Sequence, residues 1–596
     1  MEQRNLILAI VISVAVMFGW QFLYEKPRIE KEAAQKTAEQ QTAAKPTPSQ
    51  AVPGVPAPAT TAPQPPAPGT GGVQVPAAPG TAAAAPAGPS RAEVLGQSPR
   101  VPLVSPRLHG SIRLVGGQLD DLSLADYHET TDRKSPEIVL LTPSGTPEPY
   151  YAQFGWVAGD AATKVPDDTT LWTATPGALA PGKPVTLSWD NGQGLVFTRT
   201  VALDDNYMFT ITQQVRNTGT KPVTLFPYGL VSRTGEPQHK SYYLLHEGPL
   251  GVLGNTLKEI SYDDLKKDNR IEQASTGGWL GITDKYWLVA LVPDQKAAVQ
   301  AAFRHALAGK ADKFQADYLG GAQTVAPGAT ATATDRLFAG AKEVKLLDSY
   351  EEKLGIARFD LAVDFGWFYF LTKPIFYVLD FFARVIGNFG LAILLLTVLI
   401  KGAFFPLANK SYAAMSRLKK LQPKMTEMRE RYKDDRAKMN EAMMRLYKEE
   451  HANPMAGCLP ILIQIPVFFS LYKVLFVTIE MRHAPFYGWI HDLSAPDPTS
   501  LLQLFGLIAW TPPHFLDPVN IGVWPILMGI TMFLQQKLNP APADPTQAKI
   551  MMFLPLIFTF MLAHFPAGLV IYWAWNNLLS ISQQWLIMRR MGVKAT

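Results

Sequence analysis

The sequence predicts an α-helical polytopic membrane protein of six transmembrane helices that carries a large all-β sandwich domain outside the membrane. Three observations predict it. Apolar runs near the length of a membrane span occur at the N-terminus and repeatedly after residue 374. Between them, roughly Val101 to Gly340 breaks into short strand-like runs punctuated by Gly, Asp and Pro. Positive charge is concentrated in particular loops between apolar runs.

Residues 1–24 form the first element. Leu6 to Tyr24 is apolar apart from Ser13 and Gln21, and it ends in the bulky, interfacial Trp20-Gln21-Phe22-Leu23-Tyr24. It is longer than the apolar core of a cleavable signal peptide and lacks a small-residue cleavage site, so it reads as a retained anchor. A signal peptide is the alternative. Residues 25–100 begin charged and turn rich in Pro, Ala and Gly, a composition that buries little and predicts a disordered tether.

Residues 101–345 are expected to form the sandwich. Ser111-Ile112-Arg113-Leu114-Val115, Val185-Thr186-Leu187-Ser188-Trp189, the run from Leu195 to Val201 and the run from Tyr207 to Thr212 are its clearest strands. The single cysteine, Cys458, excludes an internal disulfide, so this domain must hold by its core alone. Cys458 itself reads as a packing residue. His109, His128, His239 and His246 lack metal-ligand spacing. No acid, base or nucleophile cluster is visible either. The expectation is therefore no catalytic residue, no metal and no cofactor.

Leu354, Ala357 and Leu361 fall near helical spacing, so residues 350–365 predict an amphipathic helix on the membrane surface, with a plain connector as the alternative. The further spans are expected at 374–408, 458–480, 523–538, 547–565 and 568–590. A helical hairpin occupies 409–452, and a loop occupies 481–522. Orientation follows from charge. Residues 410–450 contain 12 Lys or Arg, whereas the 481–522 loop has only Arg482. The basic hairpin and the C-terminus then face the cytoplasm, and an even helix count puts the N-terminus there too. The β domain is consequently periplasmic, and the chain is a multi-pass protein of a bacterial inner membrane. A net charge of +5 is too small to imply nucleic-acid binding by itself.

Lys401 stands inside an apolar run, where a cation costs about 2.5–3.5 kcal/mol on insertion scales. It faces a polar cavity or it snorkels to the headgroups, which lie roughly 9 Å further along the helix at 1.5 Å per residue. Polar residues at matched depth favour the cavity. Thr397 lies one turn away on the same face, and Gln464 sits at similar depth on an antiparallel neighbour. Tyr572, Asn576 and Ser580 form a stripe down the last span, continued by Gln583 or Gln584. Thr531 and Gln535 make a shorter one. Such stripes also serve to bond helix to helix. No carboxylate lies near Lys401 in sequence depth, which weighs against an ion-coupled transporter.

The hairpin carries Met415, Met425, Met428, Met439, Met443 and Met444, which line either the contact between its helices or a surface for a partner. Its basic residues suit anionic lipid or ribosomal RNA.

Several stretches resemble the YidC family of membrane protein insertases. They are Gly402-Ala403-Phe404-Phe405-Pro406-Leu407, Leu421-Gln422-Pro423-Lys424, Asn453-Pro454 with Gly457-Cys458-Leu459-Pro460, Ile463-Gln464-Ile465-Pro466, Trp489-Ile490-His491-Asp492-Leu493-Ser494, and Phe565 to Trp573. The anchor, tether and β-rich domain resemble the layout of the family's Gram-negative branch, whose periplasmic domain is a β-supersandwich. The resemblance implies an insertase and chaperone for nascent inner-membrane proteins, working alone or with the Sec translocon. It implies a hydrophilic groove with one positive charge, here Lys401, beside Thr397, Gln464, Tyr572 and Trp573. The stripe residues Asn576, Ser580 and Gln535 complete the expected groove. Partners are then nascent chains, the Sec translocon, membrane lipids and, through the hairpin, the ribosome, with no small-molecule substrate. Two departures stand out. Many members carry Arg where this chain has Lys401, and the tail after Arg590 is short. Residues 499–520 look like extra loop length with no assigned role. The competing functions are a polytopic solute transporter or channel, which needs an intramembrane carboxylate pair or an inverted repeat, and a membrane-anchored periplasmic enzyme, which needs a clustered catalytic constellation.

Overall fold

The computed structural model describes residues 89–592, apart from 238–244, 310, 433–434, 451–458, 509–512, 514–515, 517–519 and 540–544. The expected anchor at 1–24, nearly all of the tether, His239 and Cys458 lie outside the described residues.

A short helix α1, Arg91–Leu95, with a Ser90/Glu93 capping box, leads into the β domain. Among the described residues the strands form two antiparallel sheets, one of ten strands and one of nine. The first centres on Tyr150–Ala158, Val223–Thr234 and Ala311–Gly320, paired in that order. The second runs through Trp287–Val292, Thr330–Ala341, Met208–Asn217 and Leu195–Leu203. Helix α2, Tyr262–Asp268, is capped by Ser261. The alternation read from the sequence has its physical counterpart in Leu195–Leu203, where Leu195, Phe197, Arg199, Val201 and Leu203 all point into the core. Arg199 is tolerated there because its guanidinium donates to the Gly117 carbonyl at 2.7 Å and to the Phe154 carbonyl, and lies over the Trp172 ring.

Helix α3, Val344–Leu354, follows the last strand and ends at Gly355 in the left-handed conformation. A 3-10 turn, Phe359–Ala362, comes next. This corrects the expected surface helix at 350–365: Gly355 stops the helix, and Ile356, Phe359 and Phe365 are buried in the core. The next helix, α4, Tyr369–Ile386, does present an exposed apolar face. Phe370, Phe381 and Val385 are exposed on it, while Ile375, Phe376, Leu379 and Ala383 are buried.

The single span expected at 374–408 is also divided. Gly387, at φ 76°, ends α4, and the Asn388 side chain accepts from Leu391 N–H to cap α5, Phe389–Ala403. A 70° bend then leads into α6, Phe405–Arg431. Helix α7, Arg436–Glu449, capped by Asp435, completes the hairpin. The remaining helices are α8, Leu459–Val477; α9, Val523–Leu538; α10, Pro545–Leu562; and α11, Ala567–Arg590.

Among the described residues no single helix is both long and apolar enough to cross a membrane by itself, while α5 and α6 are so as a bent pair. Helix α10 leaves Ile550, Met552, Leu556 and Ile557 more than half exposed. Two compact units divide the chain. In the described part of the smaller one, 421–450, Leu421, Met425, Met443 and Leu446 are buried, Met444 is exposed, and Lys424 pairs with Glu450 at 2.7 Å.

Candidate functional site

The larger unit holds a cavity where α5, the start of α6, α8 and α11 meet. Its lining comprises Thr397, Ile400 and Lys401 from α5, Phe404 at the bend, Leu407, Ala408 and Tyr412 from α6, Gln464 and Val467 from α8, and Tyr572 and Asn576 from α11. About 50 Å³ is open to the centres of water molecules, several times the ~10–15 Å³ that one water needs.

Each polar side chain arrives by a separate local cause. The N-terminus of α11 is pinned from outside the bundle. Ala567 and Gly568 N–H groups, which have no partners within their own helix, donate to the carbonyls of Ala495 at 2.7 Å and Leu493 at 2.9 Å. The loop that supplies those carbonyls is turned by Asp492, which accepts from His483 and Ser494 backbone N–H groups. Tyr572, Asn576 and Ser580 then descend on one face of α11. Lys401 Nζ donates to Ser580 Oγ at 2.7 Å, and that hydroxyl in turn donates to the Asn576 carbonyl at 2.8 Å. Tyr572 faces Gln464, and Tyr412 faces Ser580. Trp575 Nε1 donates to the Leu394 carbonyl at 3.2 Å, which ties α11 to α5.

The expected residues divide. Lys401, Thr397, Gln464, Tyr572 and Asn576 line the cavity, and Ser580 holds the ammonium from its edge. Trp573 and Gln535 are not part of the lining. Trp573 packs instead on Phe468 at 4.7 Å and Phe558 at 5.6 Å, because one residue along a helix turns the side chain by roughly 100°. Thr397 lines the cavity with its hydroxyl turned back to the Ile393 carbonyl at 2.7 Å. The rest of the α11 stripe ties α11 to its neighbours, Gln583 to Asn409 on α6 at 2.9 Å and Gln584 to Asn539 at the end of α9 at 3.1 Å, and Asn577, beside the stripe, bonds Thr531 on α9 at 3.3 Å. Tyr412 was not foreseen, since it lies in the basic stretch after the bend.

The cavity offers a cation, amides and hydroxyls beside an apolar wall of Ile400, Phe404, Leu407 and Val467. Among the described residues no carboxylate or imidazole lines it.

Comparison with known proteins follows the same division of the chain. The family model described as the YidC periplasmic domain matches residues 100–378. That described as the 60Kd inner membrane protein matches residues 381–594. These define the class: a bacterial inner-membrane protein with a periplasmic β-sandwich and a helical region. A membrane protein insertase YidC from Methylobacterium sp. (strain 4-46) is 54% identical over 100% of this chain and 96% of its own length. The protein of the same name from Bradyrhizobium diazoefficiens is 52% identical, over 100% of this chain and 97% of its own. A solved structure described as an active YidC insertase with the first transmembrane domain resolved aligns over 81% of this chain and 91% of that one, at 17% identity and a TM-score of 0.33. The chain belongs to the YidC family of membrane protein insertases.

Proposed function

We propose that the Lys401 cavity is the groove through which this insertase works. It receives the polar segment of a nascent inner-membrane protein while the client's apolar segment passes to lipid. The observation that carries this is the ammonium of Lys401, which meets a serine hydroxyl and no charged partner among the described residues. An intramembrane cation without a counter-ion is costly and attracts acidic or polar chain. The groove opens toward the cytoplasm in this reading, and the protein also assists client folding as a chaperone.

The reading places six spans in the membrane, the N- and C-termini in the cytoplasm and α4 at the outer interface. The contrast between 12 basic residues in 410–450 and the lone Arg482 in 481–522 supports that orientation. Work alone or beside the Sec translocon, and contact of the basic hairpin with a ribosome, complete the proposal. There is no covalent chemistry, cofactor or small-molecule substrate in it. A solute transporter gains no support from a lining without carboxylates among the described residues.

A photocrosslinker at Tyr572 or Gln464 is expected to capture nascent membrane proteins. Lys401→Arg should retain insertion. Lys401→Ala should lower it roughly tenfold for clients with acidic translocated tails, equivalent to ~1.4 kcal/mol of lost attraction. Unchanged insertion of every tested client by Lys401→Ala would remove the charge from the mechanism.

A further inference from the structure

The segment Leu501–Ile508, in the added length of the 481–522 loop, has no part in the groove. It begins as a 3-10 turn, Leu501–Gly506. Leu501, Leu504, Phe505, Leu507 and Ile508 are all exposed, Leu507 by 86%. Between Asp497 and Asp517 no residue carries a formal charge. Leu504 and Phe505 both sit in the left-handed region, at φ 46° and 59°, which bulky residues rarely adopt. The chain thus holds a disfavoured backbone and presents leucine and phenylalanine outward, an arrangement that water does not reward.

The base of the segment is firmly held. Leu501 N–H donates to the Ile521 carbonyl at 2.9 Å. Asp497 accepts from Trp489 Nε1 at 3.1 Å and from Trp524 N–H at 2.8 Å, and Thr499 Oγ1 accepts from Val523 N–H at 2.9 Å. Val523 and Trp524 are the first turn of α9, so the loop is clasped to the end of a helix of the membrane region. Apolar exposure continues down that helix through Leu527, Ile530 and Leu534.

We propose that Leu501–Ile508 is a lipid-inserting wedge whose exposed leucine, isoleucine and phenylalanine side chains enter the outer leaflet beside the start of α9. Lipid is the occupant because the surface is uncharged, is continuous with the exposed face of α9, and has indole groups at its clasped base, as membrane interfaces favour. The side of the membrane rests on the orientation proposed above.

The test uses the full chain with Cys458→Ser and one new cysteine, Leu507→Cys or the control Lys296→Cys on the sandwich, labelled with the environment-sensitive dye NBD. In phosphatidylethanolamine/phosphatidylglycerol vesicles the dye at 507 should emit to the blue of the control. It should be quenched by more than half by lipids nitroxide-labelled near the headgroup, while the control stays unquenched. Water-like emission at 507 without lipid quenching overturns the wedge. So does blue-shifted emission that lipids do not quench and that fades as protein is diluted, since a second copy then covers the segment. Dithionite added outside should reduce the same fraction of dye at both positions. Unequal fractions with lipid quenching intact would overturn the proposed orientation and leave the lipid contact standing.

Discussion

In the sandwich, Asp317 is buried and receives the Arg304 guanidinium on both oxygens, at 2.7 and 3.2 Å, with Gln315 adding a third bond at 2.8 Å. Asp120, equally buried, meets Arg100. In the helical region Lys401 has a hydroxyl where these have a countercharge. These two carboxylates are buried in closed pairs, whereas the Lys401 charge is left open; the sandwich's own buried Arg199 and Lys342 are met by carbonyls and by the Thr283 hydroxyl. A closed pair has no capacity left for another group, whereas the Lys401 ammonium has two donors beyond the one it gives Ser580.

The contrast is most sharply tested by breaking one site of each kind. Asp317→Ala leaves Arg304 without its partner in the sandwich, and loss of one member of a buried pair costs about 3–5 kcal/mol. Its thermal unfolding in detergent should begin well below that of the parent. Lys401→Ala should leave the unfolding temperature unchanged or raise it, because it removes a desolvated charge, and should show its effect in insertion alone. If Lys401→Ala unfolded the protein as Asp317→Ala does, the ammonium would be a structural member and the comparison would fail.

Glu480 is an intermediate case, at the junction of the two regions. It lies in the 3-10 turn after α8, accepts the Val344 N–H at the start of α3 at 3.1 Å, and has its other oxygen buried without a partner among the described residues. The groups around it are mixed. Glu343 and Asp380 repel it, Arg107 is engaged by Glu343, and Lys345 and Arg384 are engaged by Asp380. Burial pushes its carboxyl from 4.5 up to about 7. Between those values the folded chain keeps a proton that the unfolded chain has lost, so stability falls as pH rises through that window and the full cost is carried above it. Glu480→Gln keeps the acceptor and removes the titration. It should stabilise the protein by on the order of 1–3 kcal/mol at pH 8 and by almost nothing at pH 5. An equal effect at both values would mean that the carboxyl does not titrate in this range.

The same two regions differ in how far their sequence disclosed them. Alternation gave the strands around Val185–Asp190, Leu195–Leu203 and Met208–Asn217, because in a sandwich the side-chain period and the buried face coincide. Apolar length was a poorer guide to the helices. The single span expected at 374–408 hid two boundaries, although Gly387-Asn388 is a helix stop followed by a cap. Lys401 and Gln464 could be matched by counting along straight helices. Tyr412 could not, since it reaches the cavity only after the 70° bend. The stripe on α11 lines the cavity at Tyr572 and Asn576 and meets Lys401 at Ser580, but its continuation to Gln583 or Gln584 leaves the cavity. Each step of four residues turns the face by roughly 40°, so Gln584 has rotated away and bonds Asn539.

Thr397 gives the finest test of what the open site needs. It shares the cavity with Lys401, yet its hydroxyl is spent on the Ile393 carbonyl, and the side chain is 2% exposed. Thr397→Val keeps the shape and removes only that bond, whose acceptor retains its place in the helix, so stability should change by less than about 1 kcal/mol. Insertion should stay within about twofold of the parent, because the ammonium and the Gln464 and Tyr572 groups remain. A loss as large as that of Lys401→Ala, measured on the same clients, would show that the hydroxyl swings out of its helix when a chain enters. The open charge would then be one half of a pair of groups that act together, and a double variant would lose no more than either single one.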